Sequence, residues 1–170
     1  GSPEGFGTSQ STQRGGERCS AAVAYLHPAK NRPNLTIAAN AYATRILMEG
    51  NKAVGVEYSQ KGKTIQARAD REVLLSGGVF GSPQLLMLSG IGPADHLKDV
   101  GVTPVIDLPG VGKNLQDHLG VFVHYTRPDA GWFRDLMRFD RMALAMMQAY
   151  LFKSGPATIL PGGLHGFIKT

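Results

Sequence analysis

The stretch from Glu72 to Gly92, EVLLSGGVFGSPQLLMLSGIG, constrains the fold of this chain more than any other. Val73, Leu74 and Leu75 form a compact apolar run, the pattern of a strand covered on both faces. Gly77 and Gly78 follow it, so the backbone there can turn sharply or lie directly against a ligand. Ser82 is suited to N-cap a helix and Pro83 to occupy its first position. Leu85, Leu86 and Leu88 give that helix an apolar face, and Gly90 is placed to end it. Strand, glycine turn and helix in this order is the shape of a nucleotide-contacting βα unit, although the order alone names no ligand.

What precedes this stretch narrows the architecture. Tyr42–Glu49, Ala53–Ser59 and Thr64–Ala69 read as strands, separated only by the short turns Glu49-Gly50-Asn51-Lys52 and Gln60-Lys61-Gly62-Lys63. Turns this short join antiparallel neighbours, so the three strands are expected to form a β-meander, with the apolar strand Glu72–Ser76 returning to a parallel sheet. Upstream, residues 1–18 read as loop, Cys19 to Lys30 as an amphipathic helix, and Leu35–Ile37 as the start of a strand. Downstream, Ala94–Val100 is a short helix with Leu97 and Val100 turned inward, and Val102–Leu108 is a strand made irregular by Pro104. The glycine-rich segment PGVGKNLQDHLG (109–120) leads into a strand over 121–125. Residues 135–153 form the longest helical pattern, with Leu136, Phe139, Ala143, Met146, Met147, Tyr150 and Leu151 on one face. A last strand begins at Leu164. The expected fold class is α/β, mixed with α+β features.

Composition excludes some function classes. The net charge of +5 over 170 residues is diffuse, with acids interspersed among the Lys and Arg groups. A nucleic-acid surface would concentrate that charge beside stacking aromatics, so no nucleic-acid partner is expected. The single cysteine, Cys19, rules out an internal disulfide and reads as a small core residue. No apolar run reaches membrane-spanning length and no signal peptide opens the chain, so a cytoplasmic location is expected. The polar, glycine-rich start and the apolar segment at the end suggest an interior piece of a longer polypeptide.

The residues alone offer no complete catalytic constellation. Gly5-Phe6-Gly7, Gly90-Ile91-Gly92 and Gly110-Val111-Gly112 all lack the third glycine of a dinucleotide fingerprint. The five histidines have no metal-site spacing, and no metal is expected. Asp117-His118 resembles an acid–base pair, but neighbours in an extended loop face opposite ways; Asp117 reads as a loop hydrogen-bonder and His118 as structurally packed. Gly81-Ser82-Pro83 is not a nucleophile elbow.

The run SGGVFGSPQLLMLSGIGP (76–93) resembles the second signature of the glucose–methanol–choline (GMC) flavin oxidoreductases. Gly78, Ser82-Pro83, Leu85-Leu86 and Ser89-Gly90-Ile91-Gly92 occupy the signature positions, and Val79 departs from it where the family has a smaller residue. Arg32-Pro33-Asn34-Leu35, Ala53-Val54-Gly55-Val56-Glu57, Leu108-Pro109-Gly110-Val111-Gly112 and Asn114-Leu115-Gln116-Asp117-His118 are similar to that family as well, in its order. The choline- and alcohol-dehydrogenase-like branch is the nearest in character.

This resemblance implies part of a glutathione-reductase-like FAD-binding domain with its β-meander, over residues 1–119. Residues 120–170 would begin a substrate-binding domain on a separate sheet. It also implies FAD as cofactor, a small-molecule alcohol as substrate, and oxidation of a CH–OH group by hydride transfer to the flavin N5. By motif position, the backbone of Ala43 would contact the adenine, with Tyr42 beside it, and Gly77 and Gly78 would lie close to the adenosine half of FAD. The family's GxGxxG turn and its catalytic histidine have no counterpart here, so no catalytic residue is assigned and neither His118 nor His165 takes that role. A non-catalytic binding or assembly module derived from the fold is the alternative, as is a family member that uses FAD for other chemistry.

Overall fold

Short turns and alternating side chains build the meander as expected. A computed structural model of the chain describes residues 4–8, 11–126, 128, 131–158 and 164–167. In chain order its first elements are strands β1 (Gly5–Thr8), β2 (Gln13–Arg14) and β3 (Glu17–Arg18) and the one-turn helix α1 (His27–Ala29). Strands β4 (Tyr42–Glu49), β5 (Lys52–Gln60) and β6 (Lys63–Arg68) follow, then helix α2 (Gly78–Leu88), strand β7 (Ile91–Gly92), helix α3 (Ala94–Asp99) and strand β8 (Ile106–Asp107). Helices α4 (Gly131–Leu136) and α5 (Phe139–Phe152) and strand β9 (Leu164–Phe167) complete the series. The chain divides into two compact units, residues 37–121 forming one and residues 1–36 with 122–170 the other.

The unit of residues 37–121 is built on the antiparallel sheet β4-β5-β6. Gly50, Lys61 and Gly62 take positive φ at its two turns, the conformation tight hairpins require. Two irregularities interrupt the β4–β5 ladder. Ala43 pairs with Tyr58 and Arg45 with Glu57, leaving Thr44 as an extra residue, and Leu47 pairs with Gly55 while Met48 pairs with Ala53. Helix α2 packs on β4, and β7 and β8 pair in parallel, Ile91 opposite Ile106. Five of the buried residues lie here: Ile46, Val54, Ser89, Ile91 and the fully enclosed Leu97.

Several expectations change. Glu72–Ser76 joins no ladder, and Leu74 is 79% exposed. An apolar run becomes a strand only beside a hydrogen-bonding neighbour, and the described residues place none there. The same holds for Leu35–Ile37 and for 121–125, where Val121, Phe122, Val123 and Tyr125 are exposed. The strand expected over 102–108 shrinks to β8. Helix α2 starts at Gly78, so Pro83 lies inside it rather than at its first position.

In the other unit, β1 pairs antiparallel with β9, Gly5 opposite Phe167, and β2 with β3 as a two-residue hairpin, so residues 1–18 are not all loop. The expected helix over 19–30 is a wide π-helical turn, Ala22–Leu26, running into α1. Pro28 has no N–H to donate, which disturbs the ordinary helical ladder just there. Cys19 is buried, as a small core residue should be. Helix α5 buries a different face from the expected one. Phe139, Met146, Met147, Tyr150 and Leu151 are exposed, whereas Ala145 is buried and Met142 and Ala149 are half-buried. Residues at 142, 145 and 149 share one stripe, and its two alanines allow close approach. The helix ends at Lys153 in the left-handed conformation, its amine 3.0 Å from the Glu17 carboxylate.

Candidate functional site

Two pairs of residues define the candidate site, both in the unit of residues 37–121. Gly77 and Gly78 open α2. Gly78 has φ +82, a conformation that strains any residue with a side chain, and a Cβ built on it would meet nothing within 4 Å. Its backbone therefore faces open space, where a bound molecule could lie against it. Gly77 is confined differently: a Cβ there would come within 3.1 Å of the Ser82 amide nitrogen. The Ser82 hydroxyl accepts a hydrogen bond from the Gly77 N–H at 2.9 Å. Ser82 is therefore not the N-cap, a place Gly77 takes; it lies within the helix and reaches back to the Gly77 N–H.

Tyr42 and Ala43 open β4, and both are exposed, Tyr42 to 67%. Tyr42 and Ala43 are consecutive ladder residues, paired with Ser59 and Tyr58, so their side chains lie on opposite faces of the strand, and the extra residue at Thr44 shifts the alternation only after them. A polar network holds this bulge. The Thr44 hydroxyl lies 3.1 Å from the Glu57 carbonyl oxygen and 3.3 Å from its carboxylate. The Arg45 guanidinium donates to Glu57 Oε2 at 3.2 Å and the Gln66 amide at 3.1 Å. These donors, Gln66 foremost, hold the Glu57 carboxyl below its ordinary pKa against the opposing effect of desolvation.

The two pairs share one anchor. The Ser89 hydroxyl, at the C-terminal end of α2, accepts a hydrogen bond from the Ile46 N–H at 2.8 Å. Ala43 lies three residues before Ile46, about 10 Å along the strand, and Gly78 lies eleven residues before Ser89, about 16 Å along the helix. No hydrogen bond joins Tyr42 or Ala43 directly to Gly77 or Gly78 among the described residues. Sequence reading noted Ser89 only as a signature letter; a serine just before a helix-ending glycine is the signal that could have marked it.

The Gly90–Gly92 pair is structural. A Cβ on Gly90 would stand 2.6 Å from the Thr103 carbonyl oxygen, and one on Gly92 would meet Met87 Cγ at 3.0 Å. These glycines admit the chain's own backbone and side chains, not a ligand. A groove of about 670 Å³ runs between α2 and residues 110–116, walled by Phe80, Leu86 and Met87 and edged by Lys113, Asn114 and Gln116. Asp117 behaves as a loop hydrogen-bonder, its carboxylate accepting from the His118 N–H at 2.8 Å. His118 is exposed rather than packed, because the loop carries it away from the core. Among the described residues no group of three or more His, Cys, Asp or Glu could hold a metal ion, and no helix is long and apolar enough to cross a membrane.

The sequence profile of the GMC oxidoreductase family matches residues 1–120. The chain belongs to the GMC oxidoreductase family. It is 55% identical over 127 residues to human mitochondrial choline dehydrogenase, covering 74% of this chain and 21% of that protein. It is 49% identical over 169 residues to the oxygen-dependent choline dehydrogenase of Staphylococcus xylosus, covering 98% of this chain and 30% of that one. The chain thus spans about a fifth to a third of the length of these curated relatives. Among solved structures, a formate oxidase variant from Aspergillus oryzae RIB40 superposes with a TM-score of 0.81 at 33% identity, over 94% of this chain and 28% of that one. A fungal aryl-alcohol oxidase gives a TM-score of 0.73 at 29% identity, over 88% and 26%. The mixed α/β fold is that of a fragment of the FAD-binding GMC oxidoreductases, in agreement with the sequence.

Proposed function

We propose that this chain is an interior part of an FAD-dependent oxidoreductase that oxidises a CH–OH group of a small-molecule alcohol, with choline as the first substrate to test. The observation that carries the proposal is the match to the GMC family over residues 1–120, joined to 55% identity with a choline dehydrogenase.

The geometry fits a supporting role toward FAD. The backbone of Gly78 faces open space, and both Tyr42 and the small Ala43 stand exposed at the start of β4. We assign Tyr42, Ala43, Gly77 and Gly78 to one wall of the adenosine site. FAD, when bound, supplies the acceptor for the hydride of the alcohol. The chain's own residues bind and orient; none of them is assigned the proton abstraction. The Asp117 carboxylate already accepts a local backbone hydrogen bond, which suits it to shaping its loop. Residues 1–119 belong in this reading to the FAD-binding domain and residues 120–170 to the opening of the substrate domain, a boundary supported by the end of the family match at residue 120.

The experiment uses the full-length protein. After gel filtration it should carry stoichiometric flavin by its visible absorption, and anaerobic choline should bleach that absorption. A folded protein that acquires no flavin on titration with FAD refutes the proposal. Flavin that choline leaves oxidised, but another alcohol reduces, moves the substrate and keeps the reaction class.

A further inference from the structure

Ser89 is the one buried polar side chain among the described residues, 6% exposed. Its hydroxyl makes two hydrogen bonds at right places to lock a joint. It donates to the Leu85 carbonyl at 2.6 Å, closing the last turn of α2, and accepts from the Ile46 N–H at 2.8 Å. β4 is an edge strand of its sheet, so alternate N–H groups have no β5 partner, and Ser89 takes the one at Ile46. Among the described residues this is the one hydrogen bond between α2 and β4. Apolar contact between helix and strand is non-directional and permits sliding; a buried hydrogen bond fixes the register.

We propose that Ser89 is a positioning residue for the cofactor: it sets the separation of Tyr42–Ala43 from Gly77–Gly78, the two parts of the adenosine wall. The inference rests on the FAD reading given above. Both parts are lever arms that extend from the Ser89–Ile46 joint, so a small tilt at the joint becomes a larger displacement at the wall. Ser89→Ala removes the acceptor, leaves the Ile46 N–H unpaired in a buried place, and frees the helix to shift. Ser89→Thr keeps the hydroxyl.

The test is made on the full-length protein freed of flavin. FAD affinity is read by quenching of flavin fluorescence, and exchange of the Ile46 amide by hydrogen–deuterium mass spectrometry or NMR. S89A should raise the Kd for FAD at least tenfold and accelerate Ile46 exchange, and S89T should return the Kd to within threefold of wild type. In the wild type, FAD should slow Ile46 exchange, because a ligand that needs the joint closed stabilises it. A folded S89A protein that binds FAD within twofold of wild type overturns the inference. If S89A does not fold, the wild-type arm decides: FAD that slows the Ile46 amide supports the joint, and FAD that leaves it unchanged overturns it. A wild-type protein that takes up no FAD overturns the functional reading and this inference together, whereas an indifferent S89A overturns this inference alone.

Discussion

Gly90→Ala should be among the most damaging single-atom-scale changes in residues 37–121. Gly90 has φ +80, and a Cβ there would lie 2.6 Å from the Thr103 carbonyl oxygen, 2.7 Å from Val105 Cγ2 and 3.1 Å from the Val105 nitrogen. Two of those atoms are backbone, so a rotamer change cannot relieve the clash. The left-handed conformation alone costs an L residue about 1–2 kcal/mol. The displaced segment also carries the hydrogen bonds from Val105 N–H and Ile106 N–H to the Gly90 carbonyl, at 2.7 and 3.1 Å. Each contributes about 0.5–1.5 kcal/mol net, which brings the expected local loss to about 2–5 kcal/mol. Gly101→Ala is the matched control: φ is +78, but a Cβ would meet nothing within 4 Å. Its cost should be the conformational part only, about 1–2 kcal/mol. Hydrogen exchange in the full-length protein checks both, since 1.4 kcal/mol is tenfold in the opening equilibrium. In G90A the amides of Val105 and Ile106 should lose protection by about 30-fold or more. In G101A the amides of Val100 and Val102 should lose no more than about 30-fold. If G90A costs no more than G101A, the close backbone packing of Gly90 has no energetic weight and the reasoning fails.

Leu97 is fully buried, and Leu97→Ala should cost about 2–5 kcal/mol, read as a lower denaturation midpoint with loss of protection in α3. A midpoint within experimental error of wild type would show that this cluster is not a core. Glu57 should make the meander acid-sensitive. Its carboxyl is held below the ordinary value of 4.5 by Gln66, then Arg45 and Thr44, so the stabilisation is present above pH 4.5 and is lost as pH falls through the lower folded-state value. E57Q should flatten that acid limb in amide exchange of β4 and β5; an unchanged limb would place the acid sensitivity elsewhere.

The meander was legible because its signals are local. Turn residues at 49–52 and 60–63 and the alternation between them depend on neighbours in sequence, and the strands came out within a residue or two at each end. The helix-ending glycine at 90 was legible for the same reason, since its positive φ is a property of one residue's sterics. The family signature likewise needed only residue order. The bulge at Thr44 was not legible, because it arises from the ladder pairing and its Glu57 partner thirteen positions away. Nor was the buried face of α5, where the stripe with small alanines packs and the larger apolar side chains remain exposed.

The family, the meander, the glycine turn at 77–78 and the absence of a dinucleotide fingerprint are all written in short-range patterns of the chain. Tertiary structure decided which glycines face open space and which admit the chain's own backbone. It also decided that Glu72–Ser76 joins no ladder, and that a signature serine is the joint between helix and strand. The physical reason is common to all three. Close approach, ladder pairing and burial are relations between distant residues, and a one-dimensional pattern carries them only where the partners are also neighbours in the chain.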